Sequence, residues 1–178
     1  ERASGRTLLA GAATLAALLL LARLGSSPGL LLTWEPSVIE GFGESARAGA
    51  GAGKFLLEAA LWDEGLVSRG DHSLLYGAPT YALLRTTGFQ VWQLRIVAAL
   101  LAIACVPAVF AMTRRFGAGA AGAAALVLAV SLPLLYYGRY GTSLSGTLLG
   151  VLLATWACWD FVEHPARRWW RGPLAGVA

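Results

Sequence analysis

Charge is what this 178-residue chain has least of: 13% of its residues are Asp, Glu, Lys or Arg, while 57% are hydrophobic. A soluble domain carries about 25% charged residues, and half that charge with long apolar runs points to an integral membrane protein. Cysteine is equally scarce. Cys105 and Cys158 both fall inside apolar stretches, which argues against a disulfide framework and against a cysteine metal site. Histidine occurs only as His72 and His164. The chain lacks a phosphate loop, a dinucleotide fingerprint and a zinc-protease helix. It also lacks a basic stripe: the arginines behind the net charge of +4 stand at the ends of apolar segments, so nucleic acid is not an expected partner.

What is present is a set of apolar runs. The first covers 7–24 and is preceded by Arg2 and Arg6. At 1.5 Å per residue it reaches about 27 Å, close to the thickness of a hydrocarbon core. It has the basic start of a signal peptide, but Arg23 and Leu24 interrupt where a cleavage site would follow, so it reads as a retained helix. Further runs cover 95–113, 118–137 and 142–162, with Pro107 and Pro133 inside the second and third. Proline should kink these helices, and neighbouring helices can satisfy the carbonyl it frees. The fold class is therefore all-α integral membrane, with about four transmembrane helices and a long first loop over 25–94.

The connections alternate in charge. Arg2 and Arg6, Arg114-Arg115, and Arg167, Arg168 and Arg171 share one side, which the positive-inside rule places in the cytoplasm together with the N-terminus. The loop over 25–94 and the turn near Arg139 then lie on the external face. The loop holds most of the acids: Glu35, Glu40, Glu44, Glu58, Asp63, Glu64 and Asp71. A loop this long is commonly functional. Near-helical recurrence of Phe55, Leu56, Ala59, Ala60 and Trp62 predicts a short amphipathic helix within 46–66, after the glycine-rich 49–53. A second short helix is expected over 79–84, with Pro79 in its first turn.

Two polar clusters could carry chemistry. Trp62-Asp63-Glu64-Gly65 places adjacent carboxylates on the loop, where they could act as a general base or hold a divalent cation. Glu35 and Glu40 are rival acids nearer the first helix, and Asp71-His72 is a candidate proton-transfer or metal pair. A solvated polar loop is the plain alternative for all of these, and His164 with Glu163 reads as an interfacial loop. The second cluster surrounds Arg139, flanked by Tyr136, Tyr137 and Tyr140, with Arg95 opening the next segment on the same face. Two arginines among tyrosines suit a lipid phosphate with a sugar stacked nearby. An aromatic belt with one snorkelling arginine is the structural alternative.

The order of these pieces resembles the GT-C superfamily of membrane glycosyltransferases, in particular the bacterial relatives of dolichyl-phosphate-mannose protein mannosyltransferase and of aminoarabinose transferase. The resemblance rests on Trp62-Asp63-Glu64 in the long loop and on Tyr76-Gly77-Ala78-Pro79-Thr80. It continues with Gly88-Phe89-Gln90-Val91-Trp92-Gln93-Leu94-Arg95, with Thr113-Arg114-Arg115-Phe116-Gly117, and with Tyr137-Gly138-Arg139-Tyr140-Gly141-Thr142-Ser143. It implies an enzyme of the bacterial inner membrane that moves a sugar from a polyprenyl-phosphate donor to a lipid or protein acceptor. Asp63 would be the base with Glu64 assisting, Glu40 being the rival by its distance from the first helix. Arg139 and Arg95 would hold the phosphate, with Tyr137 and His72 lining the substrate. The chain would be the N-terminal part of such an enzyme, since it begins at Glu1 and ends on the apolar 173–178. The competing class is a non-enzymatic membrane subunit or transporter fragment. Against it, no run carries the mid-membrane acid or base that transport usually needs.

Overall fold

The computed structural model describes residues 2–22, 74–88, 91–140 and 143–163. Six α-helices account for nearly all of them: α1 (Arg2–Leu21), α2 (Leu74–Thr87), α3 (Val91–Thr113), α4 (Ala118–Ala129), α5 (Leu132–Arg139) and α6 (Leu144–Glu163). A 3-10 turn, Arg114–Phe116, joins α3 to α4, and the described residues contain no strand. The helix expected over 46–66 lies outside the described residues.

The bundle is built on small residues. Ala12, Ala16 and Leu20 of α1, Ala121, Ala125 and Ala129 of α4, and Ala102 and Val106 of α3 are buried together, each set recurring every four residues. That spacing lines one face of a helix. In lipid there is no hydrophobic force to drive helices together, so close backbone approach supplies the packing energy. The glycines show how close it is. A Cβ on Gly5 would lie 2.7 Å from the Ala118 Cβ, and one on Gly122 would lie 2.7 Å from Leu8 Cδ1. One on Gly138 would lie 2.7 Å from the Ala102 Cβ and 2.8 Å from Leu20 Cδ2. The first two contacts set α1 alongside α4 in the same direction, and the third brings the end of α1 against α5. Large apolar side chains point outward instead: Leu18, Leu100, Val127, Val151 and Val162 are all exposed, as lipid-facing residues are.

Among the described residues, two helices are long and apolar enough to cross a membrane, Trp92–Phe116 and Leu144–Glu163. A third span arises if α4 and α5 are counted as one, and the apolar part of α1, Gly5–Leu21, is shorter. This is a helical membrane protein; against the expected four spans, the described residues hold two full-length ones, or three with the bent pair.

The prolines behave differently from one another. α3 runs unbroken through Pro107. The run expected over 118–137 is two helices bent by 51°, because Ser131 adopts an extended conformation and Pro133 falls in the first turn of α5. Pro79 also departs from expectation: α2 starts at Leu74, so Pro79 lies in its interior rather than its first turn. Gly88, at φ +95°, ends α2, and its amide donates to the Leu84 carbonyl. Only a glycine accepts that backbone readily. α3 begins at Val91, so Arg95 lies inside its first turns rather than opening it.

Candidate functional site

α1 and α3 run in opposite directions, so the end of α1, the end of α5, the end of α2 and the start of α3 meet at one pole of the bundle. Gln93 of α3 is fully buried there, and its side-chain amide donates to Thr87 Oγ1 at 2.5 Å. Thr87 in turn donates to the Leu83 carbonyl at 2.7 Å. This clasp holds α2 against the first turn of α3. Arg95 lies two residues on and is only 6% exposed. Its guanidinium carbon is 5.9 Å from the centre of the Tyr140 ring, within cation–π range.

The tyrosines form a continuous strip. Tyr140 lies 4.7 Å, centre to centre, from Tyr136, which meets Tyr137 edge to face at 5.1 Å. Tyr136 and Tyr137 are exposed, so the strip leads from buried Arg95 to the surface. Arg139 donates from Nη2 to the main-chain carbonyl of Ala22, 3.0 Å away at the end of α1. Of the residues expected at the site, Arg95, Arg139 and Tyr137 are thus brought to one pole. Glu40, Asp63, Glu64 and His72 lie outside the described residues. Among the described residues no three His, Cys, Asp or Glu side chains converge on a metal position.

Sequence reasoning passed over two residues here. Tyr140 was grouped with its neighbours, but it is the ring that underlies Arg95. Gln93 reads in the sequence as one residue of the 88–95 stretch. A polar residue two positions before an arginine at the head of a spanning helix was the available signal, because a buried amide must find a partner.

The opposite pole is organised around Arg115. Its guanidinium carbon lies 3.5 Å over the Trp159 ring and 5.4 Å from the Phe116 ring, and its Nη1 is 3.7 Å from Glu163 Oε1. Trp159 Nε1 donates to the same oxygen at 2.5 Å. Glu163 is therefore the last residue of α6 and engaged with two partners, not part of a plain interfacial loop. Both cysteines are free, with Cys105 buried and Cys158 exposed.

Helices of this apolarity define a helical membrane protein, with two arginines and a tyrosine strip gathered at one pole. Residues 71–178 match the dolichyl-phosphate-mannose-protein mannosyltransferase family, which is more than half of the chain, and the protein belongs to that family. It is accordingly a membrane glycosyltransferase of the GT-C type. The matched region takes in Arg95, Tyr137, Arg139 and His72, and begins after Glu40, Asp63 and Glu64. No curated protein and no solved structure matches the chain.

Proposed function

We propose that the protein transfers a sugar from a polyprenyl-phosphate donor to a lipid or protein acceptor at the external face of the membrane. The observation that carries this reading is Arg95: a buried arginine at the head of a spanning helix, laid against Tyr140 beside a strip of exposed tyrosines. Placing a charge there is costly, and such residues mark ligand sites in membrane proteins. A guanidinium matches phosphate oxygens geometrically and electrostatically. The exposed tyrosines, Tyr136 and Tyr137, suit stacking on a sugar ring.

In the proposed reaction the acceptor oxygen attacks the anomeric carbon of the donor. The bond from that carbon to the phosphate oxygen breaks, and polyprenyl phosphate leaves with the bonding pair. A carboxylate takes the acceptor proton, Asp63 with Glu64 beside it or else Glu40, and Arg95 stabilises the charge that grows on the phosphate. His72 lies in the same stretch of chain as a further substrate contact. Arg6, Arg114 and Arg115 gather at the other pole, where Gly5 meets Ala118, which supports a cytoplasmic assignment for that end.

The test is transfer by the whole protein in native membranes, assayed with a panel of radiolabelled polyprenyl-phosphate sugars. Of Asp63→Asn and Glu40→Gln, one should lower transfer by about 10²–10⁴-fold, the range for loss of a general base. The other should stay within about threefold of the wild type. Transfer retained by both variants and by the double variant would remove the carboxylate from the mechanism. Absence of transfer from every donor would remove the function itself.

A further inference from the structure

Arg139 was expected beside Arg95 as a second phosphate ligand. We propose instead that Arg139 is a positioning residue that fixes the end of α1 against the pole that carries Arg95. The inference rests on the glycosyl-transfer reading above for its functional consequence, but not for its geometry.

Three consecutive residues of α5 and its end make the argument. The 51° bend between α4 and α5 gives α5 its own direction. Gly138 then sits flush against both α1 and α3, since any Cβ would strike Leu20 and Ala102. That close approach sets the register of α5 on α1. The next residue, Arg139, reaches the Ala22 carbonyl at 3.0 Å. Ala22 closes the last turn of α1, its amide donating to the Leu18 carbonyl at 3.1 Å. Its own carbonyl belongs to the final turn, which has no donor within the helix, and a cationic side chain is the favoured partner at that end. The residue after Arg139 is Tyr140, whose ring underlies Arg95. Gly138, Arg139 and Tyr140 therefore join the end of α1 to the arginine of α3. A displacement of this strip would shift the end of α1 and the Tyr140 ring relative to Arg95, and so misplace the donor phosphate that Arg95 would hold. Misplacement of this kind lowers turnover more than it lowers donor affinity.

Two variants of the full chain test this. Arg139→Met keeps length and loses the donor, and Arg139→Lys keeps a donor. With the polyprenyl-phosphate sugar that the wild type uses, Arg139→Met should lower kcat by about tenfold and leave the donor KM within about twofold, and Arg139→Lys should restore most of the kcat. Tryptic cleavage after Arg23, followed by the mass of the N-terminal fragment, should be about fivefold faster in Arg139→Met and near the wild-type rate in Arg139→Lys, because cleavage tracks the opened state. A raised donor KM with kcat kept would make Arg139 a phosphate ligand and overturn the proposal. Faster cleavage with unchanged kcat would leave Arg139 a merely structural tie and overturn it too, as would unchanged cleavage. If the wild type transfers no sugar, the glycosyl-transfer reading fails, while the cleavage rates still decide whether Arg139 holds the end of α1.

Discussion

The two poles of the bundle use arginine in opposite ways. At the pole of Arg115, the guanidinium lies against the Trp159 ring and within ion-pair distance of Glu163, so its charge is met by a carboxylate of the same chain. At the other pole, Arg95 lies over a tyrosine ring and Arg139 donates to a main-chain carbonyl. Exposure runs the other way from what charge alone would favour: Arg115 and Glu163 are at the surface, whereas Arg95 is buried. A neutralised surface pair is what a structural fastening needs. The comparison separates the poles by burial and setting: one arginine is a surface fastening, the other is buried beside an aromatic strip, the setting in which a charge inside a membrane protein marks a candidate ligand site.

The largest effect that could break this comparison is on transfer. Arg95→Ala should lower kcat/KM by about 10²–10³-fold, the scale for losing one charged stabiliser of a developing anion. Arg115→Ala should leave it within about threefold. The measurement is initial-rate sugar transfer in membranes, normalised to the amount of inserted protein. Equal losses in the two variants would erase the distinction between the poles.

A smaller effect concerns how the functional pole is held. Gly138→Leu would force a side chain into the Leu20 and Ala102 contacts, where a first carbon already has no room. Overpacking of this kind costs about 1–3 kcal/mol, which should appear as a lowered melting temperature of the detergent-solubilised protein. Gly11→Leu is the control on α1: nothing lies within 4 Å of a Cβ there, and the change should stay within about 0.5 kcal/mol. If both variants melt together, the close seam between α5 and α1 is not what fixes that pole.

How much of this was legible in the sequence depended on what a single helix can disclose about itself. The runs at 95–113 and 142–162 were readable because their apolarity is continuous: α3 covers the first, and α6 covers the second from Leu144 on. The two prolines were not equally readable. Pro107 is flanked by Val106 and Ala108, neither of which offers an alternative partner to the backbone, and α3 continues through it. Pro133 follows Ser131 by two residues, and serine before a first-turn proline is a helix-start signature. Reading it as such would have anticipated the break between α4 and α5. The site divided along similar lines. That Arg95 and Arg139 share a pole followed from alternation of the connections. The Ala22 carbonyl as a partner of Arg139 did not, because a main-chain group 117 residues away leaves no mark on residue type. The Trp159–Glu163 pair was visible as a helical i, i+4 spacing. Its tie to Arg115 required knowing that the turn after α3 lies beside the end of α6.

The smallest effects lie within that fastening, and their order is set by charge. Glu163 ends α6, where the helix dipole is negative and a carboxylate is disfavoured by about 0.3–1 kcal/mol. Arg115 and the Trp159 N–H offset that repulsion. Arg115→Ala removes a cation–π contact worth about 0.5–1 kcal/mol at exposed sites and leaves the carboxylate against the dipole with less compensation. It should therefore destabilise the solubilised protein by about 1 kcal/mol, adding a weak surface ion pair to the lost ring contact. Glu163→Gln removes the ion pair but also the repulsion, and keeps an acceptor for the indole, so its net effect should be only about 0.3 kcal/mol. Raising the salt concentration should shrink the Arg115→Ala effect in part, because the ion pair is screened and the ring contact much less so. Thermal unfolding of both variants at low and high salt checks the order. A larger loss for Glu163→Gln than for Arg115→Ala would mean that the carboxylate, and not the arginine on its tryptophan, holds this pole together.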